Sequence, residues 1–429
     1  MTLLLLGILL LVLMTGVPIY AGLGVTALGF IAVASGTFGG LADQMFAKLS
    51  SYLLIAIPLF AFMAQIMVRT RIVDDLFAFL NALVGHLPGG LAIATVLCCT
   101  VFAAISGSSA TTALTVAAIA APQMKRAGYP TRLTMGTIAA GGTLGILIPP
   151  SGPMVLYALV TDASIGALFV AGVIPGLVLA AVFSLYCYLR AVFSDDIPTK
   201  TSRATFGEIV ALARRAIWAL TLPPVIFGGI YLGVFTVTEA AAVSAVQAFL
   251  IGSLVYRSLG WRDIYQSALE AVRLSAILFM IIAAAVMFGT VLTLLRVPAE
   301  LTEWVAQADL GKYGFLIAVC LLLLVLGMFL ESVALILIVT PIVLPTLNAL
   351  DIDLVWFGIQ FVILLELALL TPPVGMNLFV LRAATRERFG QIVAGAMPFV
   401  AILLLGWAMV VAVPALALWL PQTMISGLR

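Results

Sequence analysis

The sequence contains few charged side chains. Asp, Glu, Lys and Arg make up 9% of its 429 residues, whereas soluble domains carry about 25%. No stretch is polar enough to form a soluble domain, and 64% of the residues are hydrophobic. The net charge of +2 gives no indication of a nucleic-acid-binding surface. The composition therefore predicts an all-α, multi-pass membrane protein.

Chemically reactive residues are scarce as well. His86 is the only histidine, and the four cysteines lie in apolar runs without the spacing of metal ligands. The chain has no paired nucleophile and base, no HExxH pattern and no phosphate-binding Gly-Lys loop. We therefore expect neither an enzyme nor an ATP-driven pump. The apolar N-terminus lacks a basic flank and an A-x-A site, so we interpret it as a retained membrane helix.

The most informative stretch is a polar tip within an uncharged run. Residues 88–124 hold no Asp, Glu, Lys or Arg, yet residues 106–112 are rich in Ser and Thr. Each arm of this run is shorter than the about 20 residues that span a membrane as a helix. We therefore predict a re-entrant helical hairpin whose tip, residues 106–109, lies near the membrane midplane. A broken helix follows at residues 133–160, interrupted by Gly, Pro-Pro and Ser within residues 141–151.

The second half of the chain repeats this arrangement. The predicted second hairpin, residues 313–350, is uncharged up to its tip at Glu331 and Ser332, and the next passage, residues 354–381, is broken at Thr-Pro-Pro. Between the hairpins we predict five crossings, at residues 133–160, 165–189, 216–235, 237–256 and 274–295. Because five is odd, the second hairpin enters from the opposite side. The sequence thus predicts an inverted repeat, a common plan of secondary transporters.

The distribution of positive charge orients this plan. With the base of the first hairpin in the cytoplasm, sixteen of the 20 Lys and Arg residues fall on the cytoplasmic side. Half-polar segments near Asp74, at residues 261–270 and near Glu300 are predicted to lie at the membrane interface. The predicted organisation is scaffold helices at 1–87, first-repeat transport elements and the following span at 88–193, a linker and scaffold helices at 194–312, second-repeat transport elements at 313–382, and a C-terminal span at 383–429. The alternative is that every helix spans fully and no hairpin exists.

The broken stretches predict cation binding. Backbone carbonyls freed where a helix unwinds, together with hydroxyls, can hold a sodium ion. Glycine permits close approach, and Pro-Pro prevents a helix from closing its own hydrogen bonds. Residues 106–109 facing 145–149 are predicted to form one site, and residues 327–331 facing 368–374 a second. The alternative is that Gly, Ser and Pro only let membrane helices kink and pack.

Glu331 is an acid predicted at the membrane midplane, which makes it a functional candidate. We predict that it contacts a polar, non-carboxylate group of a solute or helps balance the ions. The alternative is a structural hydrogen bond across the tip. Glu366 and Glu239 are weaker candidates of the same kind. The residues predicted to contact a solute are Ser106, Ser108, Ser109, Ser151, Glu331, Ser332 and Asn377.

Six runs, distributed in order over nearly the whole chain, carry a resemblance to one family. They are residues 106–112, 128–130, 141–151, 238–242, 327–331 and 370–380. In these runs the chain resembles the large membrane subunit of tripartite ATP-independent periplasmic (TRAP) transporters. The resemblance implies an elevator-type, inverted-repeat sodium symporter in the bacterial inner membrane, taking up an organic acid such as a C4-dicarboxylate or sialic acid. It also implies two partners: a periplasmic substrate-binding protein and a small four-helix membrane subunit, expected as a separate polypeptide because the chain starts directly at the large subunit.

The resemblance further implies ligands for two sodium ions. The first set is Ser106, Gly145, Ile148 and Pro149, with Ser108 or Ser109 able to replace Ser106. The second set is Gly327, Ala368, Thr371 and Val374. Position 368 is more usually glycine in the family, so Ala368 would serve through its carbonyl group. A rival reading of the same architecture is a stand-alone sodium/dicarboxylate symporter that needs no binding protein.

Overall fold

The computed structural model describes residues 2–34, 38–194, 196–198, 203–328, 330–373 and 375–423. All the regular secondary structure in these residues is helical. Eight helical segments among them are long and apolar enough to cross a membrane. The predicted all-α, multi-pass architecture is therefore confirmed.

The first half of the chain contains two short amphipathic helices, α3 and α5, among mostly apolar ones. Its helices are α1 (Thr2–Met14), α2 (Ile19–Ala34), α3 (Leu41–Leu49), α4 (Ala56–Arg69), α5 (Ile72–Val84), α6 (Gly90–Ser106), α7 (Ser109–Arg126), α8 (Thr131–Leu147), α9 (Gly152–Thr161) and α10 (Ile165–Val192). Two left-handed glycines bound α6, Gly89 with φ 67° and Gly107 with φ 61°. A side chain is rarely tolerated at such φ values, which is why glycine stands at both ends.

The second half begins after the polar segment that was predicted to divide the chain. Its helices are α11 (Phe206–Tyr231), α12 (Val237–Leu250), α13 (Trp261–Leu294), α14 (Val297–Gln307), α15 (Lys312–Gly327), α16 (Ser332–Ala349), α17 (Leu354–Leu370), α18 (Met376–Thr385), α19 (Phe389–Ala412) and α20 (Ala415–Gln422). Capping boxes start α11, at Thr205 and Glu208, and α12, at Thr236 and Glu239. In each box the threonine hydroxyl and the glutamate carboxylate satisfy backbone N–H groups that the first turn leaves free.

Two polar contacts join the helices of the first half to those of the second. The Tyr157 hydroxyl near the end of α9 donates to the Leu354 carbonyl at the start of α17, at 2.8 Å. Lys125 of α7 pairs with Glu387, which follows α18. The first broken helix thus ends where the second begins, and the second ends beside the base of the first helix pair.

Helix α13 differs from its predicted form. The sequence predicts an interfacial segment at residues 261–270 and a separate span at 274–295, but the structure has one continuous helix of 34 residues. At 1.5 Å per residue it is about 51 Å long, which exceeds a hydrocarbon core of about 30 Å. Its charged positions do not end the helix, because Glu270 accepts a hydrogen bond from Arg69 of α4 at 2.7 Å.

Helix α19 crosses α8 at backbone contact distance. A Cβ atom added to Gly136 would lie 2.0 Å from the Gly395 carbonyl oxygen, and one added to Gly395 would lie 2.0 Å from that of Arg132. Small residues allow this close approach, as at many membrane helix interfaces. The predicted C-terminal span is two helices rather than one, since α19 ends at Ala412 and Pro414 precedes α20.

Candidate functional site

The first helix pair breaks at the predicted tip. Helix α6 ends at Ser106, and Ser108 is the N-cap of α7, where its Oγ accepts a hydrogen bond from the Thr111 N–H at 3.4 Å. A Cβ atom added to Gly107 between them would lie 2.3 Å from the Pro150 carbonyl oxygen. The tip therefore lies directly against the break between α8 and α9, and glycine is required at this contact.

Hydroxyl groups inside this tip are linked to one another. Ser106 Oγ and Thr112 Oγ1 are 2.5 Å apart, and Ser106 Oγ also donates to the Ser108 carbonyl at 3.3 Å. That carbonyl lies over Gly145, where an added Cβ atom would be 2.7 Å from its oxygen. Ser106 and Ser109 are both buried. The structure thus brings the predicted tip serines against Gly145 of α8.

The opposing break leaves several backbone groups outside a regular helix. Helix α8 ends at Leu147, Ile148 is extended, and the Pro149–Pro150 bond is cis. Ser151 caps α9: its Oγ donates to the Ile146 carbonyl at 2.5 Å and accepts from the Met154 N–H at 3.4 Å. The Ser151 hydroxyl, predicted to contact a solute, is therefore engaged within its own break.

Helix α10 packs against the same break. A Cβ atom added to Gly172 would lie 2.4 Å from the Leu147 carbonyl oxygen, and one added to Gly176 would lie 2.5 Å from Ile148 Cγ1. Two glycines one helical turn apart therefore let α10 cover the unwound segment. This close packing was missed at the sequence level, although the four-residue spacing of Gly172 and Gly176 is a signal of such an interface.

The second pair of breaks has the same layout. Helix α15 ends at Gly327, α17 ends at Leu370, and a Cβ atom added to Gly327 would lie 2.3 Å from the Ala368 Cβ. Thr371 is extended, its Oγ1 donates to the Leu367 carbonyl at 2.6 Å, and the Pro372–Pro373 bond is again cis. The structure thus brings Gly327 to Ala368, while Val374 lies outside the described residues.

Two of the predicted solute contacts lie at the start of α16. Glu331 is its N-cap residue and is exposed, without a side-chain capping bond, whereas Ser332 is buried. Within the described part of the chain the Glu331 carboxylate has no hydrogen-bond partner. The alternative of a structural bond across the tip is therefore not seen there.

Three buried polar side chains in the second-repeat elements lack hydrogen-bond partners among the described residues. Both carboxylate oxygens of Glu366 and both amide atoms of Asn377 lack hydrogen bonds among the described residues, as does Thr340 Oγ1. All three side chains are almost completely buried, with exposed fractions of 0%, 1% and 0%. Most buried polar groups in proteins are hydrogen-bonded, so such groups indicate a place for a ligand, an ion or water.

Glu239, a weaker sequence candidate, has a structural partner. Its carboxylate accepts from the Thr236 N–H at 2.8 Å, and its own N–H donates to Thr236 Oγ1 at 3.3 Å. The pattern Thr-x-x-Glu is the signature of a capping box, so the sequence could have shown this role. Glu239 is exposed at the start of α12, away from all four breaks.

A large cavity lies apart from the predicted site residues. It has a volume of about 900 Å³ and is bounded by α3, α13, the end of α9 and α16. Lys48 of α3 bridges it: Nζ donates to the Leu159 carbonyl at 2.9 Å and lies 3.6 Å from Asp162 Oδ1. Sequence reasoning missed this contact, although Lys48 is the only basic residue of the amphipathic α3.

Comparison with known proteins identifies the family. The family described as the DctM component of tripartite ATP-independent periplasmic transporters matches residues 6–416. A C4-dicarboxylate TRAP transporter large permease protein from Pseudomonas aeruginosa is 42% identical over 396 residues, which cover 92% of each chain. A sialic acid TRAP transporter large permease protein from Vibrio cholerae is 32% identical and aligned over 96% of each chain.

A solved structure supports the fold independently. The YdaH transporter of Alcanivorax borkumensis superposes with a TM-score of 0.61 over 90% of this chain and 88% of its own, at 15% sequence identity. At that identity the likeness concerns the fold alone. The family match and the full-length relatives carry the assignment: the chain belongs to the DctM component family of TRAP transporters and is a large permease subunit, a multi-pass inner-membrane protein and not an enzyme.

Proposed function

We propose that this subunit carries out sodium-coupled uptake of an organic acid by an elevator mechanism. The observation that carries the proposal is the pairing of four helix breaks in two matched contacts. In one, Gly145 lies under the Ser108 carbonyl; in the other, Gly327 lies against Ala368. Breaks that served only to kink helices would have no reason to face each other twice.

The proposed sodium ligands are oxygen atoms of the broken segments. The first site would draw on Ser106, Gly145, Ile148 and Pro149, with the Ser108 carbonyl and the Ser109 hydroxyl adjacent. The second would draw on Gly327, Ala368 and Thr371, together with Val374. Carbonyl and hydroxyl oxygens are the ligand types that unwound transporter helices offer to sodium, so the donor set fits the ion.

The proposed solute carries a carboxylate. The two relatives described above are named for C4-dicarboxylate and for sialic acid, which share this group. Helices α7, α9 and α16 begin at the breaks, and the N–H groups of their first turns provide partial positive charge to an anion. Asn377 in the first turn of α18 offers an unpartnered amide beside them. Glu331 would then meet a hydroxyl or amide of the solute, since two facing carboxylates repel.

The proposed partners follow from the family. A TRAP large permease is expected to act with a small four-helix membrane subunit and with a periplasmic binding protein that delivers the solute. The four breaks and their helices, α6 to α9 and α15 to α18, would move together against a scaffold formed around α2, α4 and α13.

Reconstitution tests this proposal. The purified chain is placed in vesicles with or without the small subunit and the binding protein, and uptake of candidate organic acids is followed. We expect uptake to require an inward sodium gradient and all three components. It should not require ATP. Full-rate uptake without sodium would overturn ion coupling, and uptake by the chain alone would favour the stand-alone symporter.

A further inference from the structure

A compact group of arginines surrounds the turn that joins α18 to α19. Arg382 lies in the last turn of α18, Arg386 is its C-cap with φ 56°, and Arg388 is the N-cap residue of α19. The turn is closed by hydrogen bonds from the Arg386 N–H to the Arg382 carbonyl and from the Gln391 N–H to the Arg388 carbonyl, both 2.9 Å. All three arginine side chains line one surface cavity of about 660 Å³.

Two aromatic rings form a wall of this cavity. The ring centroids of Phe379 and Phe389 are 4.7 Å apart, and the Arg382 guanidinium lies 5.9 Å from the Phe389 centroid. A cation over an aromatic face is attracted by the negative ring face, which orients the guanidinium at little entropic cost. The arginine cluster is therefore built on a packed support.

The positive charge of the cluster is not neutralised by the protein. Glu387 is the only acid in the lining, and Lys125 of α7 pairs with it. Across the part of the chain that the structure describes, none of the three arginines forms an ion pair. Exposed cations commonly face water, but three arginines that line one surface cavity raise the local potential and favour an anion.

The positive-inside rule accounts for the predicted cytoplasmic location of these arginines. It does not account for their grouping around one cavity. The positive-inside rule counts Lys and Arg anywhere in a short loop. Here the arginines share one cavity, directly at the membrane end of the spanning helix α19. A guanidinium donates two parallel hydrogen bonds to a phosphate, which lysine cannot match.

We propose that Arg382, Arg386 and Arg388 form a binding site for a phosphate group at the cytoplasmic end of α18. The phosphate of an anionic lipid headgroup and free inorganic phosphate share this chemistry. The site lies at the opposite end of α18 from Asn377, so an occupant would hold the helix that starts at the second break. The proposal does not depend on the identity of the transported solute or on sodium coupling.

Native mass spectrometry of the purified full-length chain tests the site. Phosphatidylglycerol, diacylglycerol with the same acyl chains and inorganic phosphate are titrated separately. We expect one tightly bound phosphatidylglycerol and no such binding of diacylglycerol, which lacks phosphate. Competition by inorganic phosphate would assign the site to free anions as well as lipid, and absence of competition would assign it to the lipid headgroup.

Two variants with a matched control separate the site from general electrostatic attraction. The R386Q/R388Q double substitution should weaken phosphatidylglycerol binding by roughly 30-fold, from the attraction of two basic residues to an anionic surface. R386K/R388K, which keeps the charge but removes the guanidinium forks, should recover only part of the affinity. R214Q/R215Q removes two exposed arginines outside the cavity and should leave binding unchanged. Unaltered binding in R386Q/R388Q, equal loss in R214Q/R215Q, or equal binding of diacylglycerol would overturn the proposal.

Discussion

Single glycines determine how closely the broken segments approach. Gly145 and Gly152 flank the same break, but their surroundings differ. A Cβ atom on Gly145 would meet the Ser108 carbonyl oxygen at 2.7 Å and Thr112 Oγ1 at 2.9 Å, whereas one on Gly152 would have nothing within 4 Å. Real Cβ atoms do not tolerate contacts below 3.0 Å, so the tip must shift if Gly145 is replaced.

This difference gives a prediction with an internal control. We expect Gly145→Ala to displace the tip and to lower sodium-dependent uptake at least about tenfold, since small misplacements at a site are costly. Gly152→Ala should retain nearly wild-type uptake and sodium dependence. Uptake against sodium concentration, with folded protein quantified by size-exclusion chromatography, checks both. Equal activity of the two variants would show that the tip contact does not matter for transport.

The sequence predicts the positions of the site residues better than their hydrogen-bond partners. Polar residues and Pro-Pro within apolar runs located all four breaks, because few other features interrupt an apolar helix. The hydrogen bond that the Ser151 hydroxyl donates to the Ile146 carbonyl was not predictable, since it depends on how the chain turns at the break. The lack of partners for Glu366 was also hidden, because it requires knowledge of every helix that packs around α17.

At the scale of elements, α3 and α9 are joined by a polar bridge across a cavity. Lys48 donates to a carbonyl in the last turn of α9, where backbone acceptors have no partner inside the helix and positive charge is favoured. Its side chain is 41% exposed and that of Asp162 is 87% exposed, so the ion pair itself contributes little. The contact to the Leu159 carbonyl therefore accounts for most of the bridge.

We accordingly predict that Lys48→Met loosens the end of α9. Hydrogen exchange of amides 159–164 should rise about twofold to fivefold, as expected for a loss of roughly 0.5–1 kcal/mol at a helix terminus. Asp162→Asn should raise it much less. Arg296→Met, which removes an exposed ion pair with Glu303 of α14, serves as the control and should not alter these amides. Unchanged exchange in Lys48→Met would mean that the bridge does not hold α9.

Helix boundaries were predictable where local residues such as caps and glycines set them. They were less predictable where contacts with other helices set them. The ends of α6 and α7 follow from Gly89, Gly107 and the Ser108 cap, all visible in the sequence. The continuity of α13 was missed because the half-polar segment at residues 261–270 and the apolar run at 274–295 were interpreted as separate elements. In the structure Arg69 of α4, which is far from α13 in sequence but in contact with it, pairs with Glu270, and the helix continues.

At the scale of the whole molecule, the proposed motion can be tested by tethering. Lys48 on α3 and Asp162 after α9 lie on the two sides of the 900 Å³ cavity. We expect a bis-maleimide joining Lys48→Cys to Asp162→Cys to block uptake in reconstituted vesicles. The same reagent between Arg296→Cys and Glu303→Cys, both beside the proposed scaffold, should leave uptake intact. Unimpaired uptake after complete tethering of the first pair would refute an elevator motion at this boundary.

The close glycine contact between α8 and α19 has a consequence for the lipids around the protein, if the proposed elevator motion occurs. If α8 moves as proposed, the backbone contact between Gly136 and Gly395 would make α19 move with it, and the packing of Gly172 and Gly176 on the break would do the same for α10, so both helices would join the moving set proposed above. The exposed leucines of these two helices, such as Leu177 and Leu405, would then slide through the surrounding acyl chains. Under the proposed elevator mechanism, the moving body would carry part of its surrounding lipid, and each cycle would include a mismatch cost set by bilayer thickness. Uptake rates in bilayers of graded acyl length should pass through a maximum, and rates independent of length would show that these faces do not move.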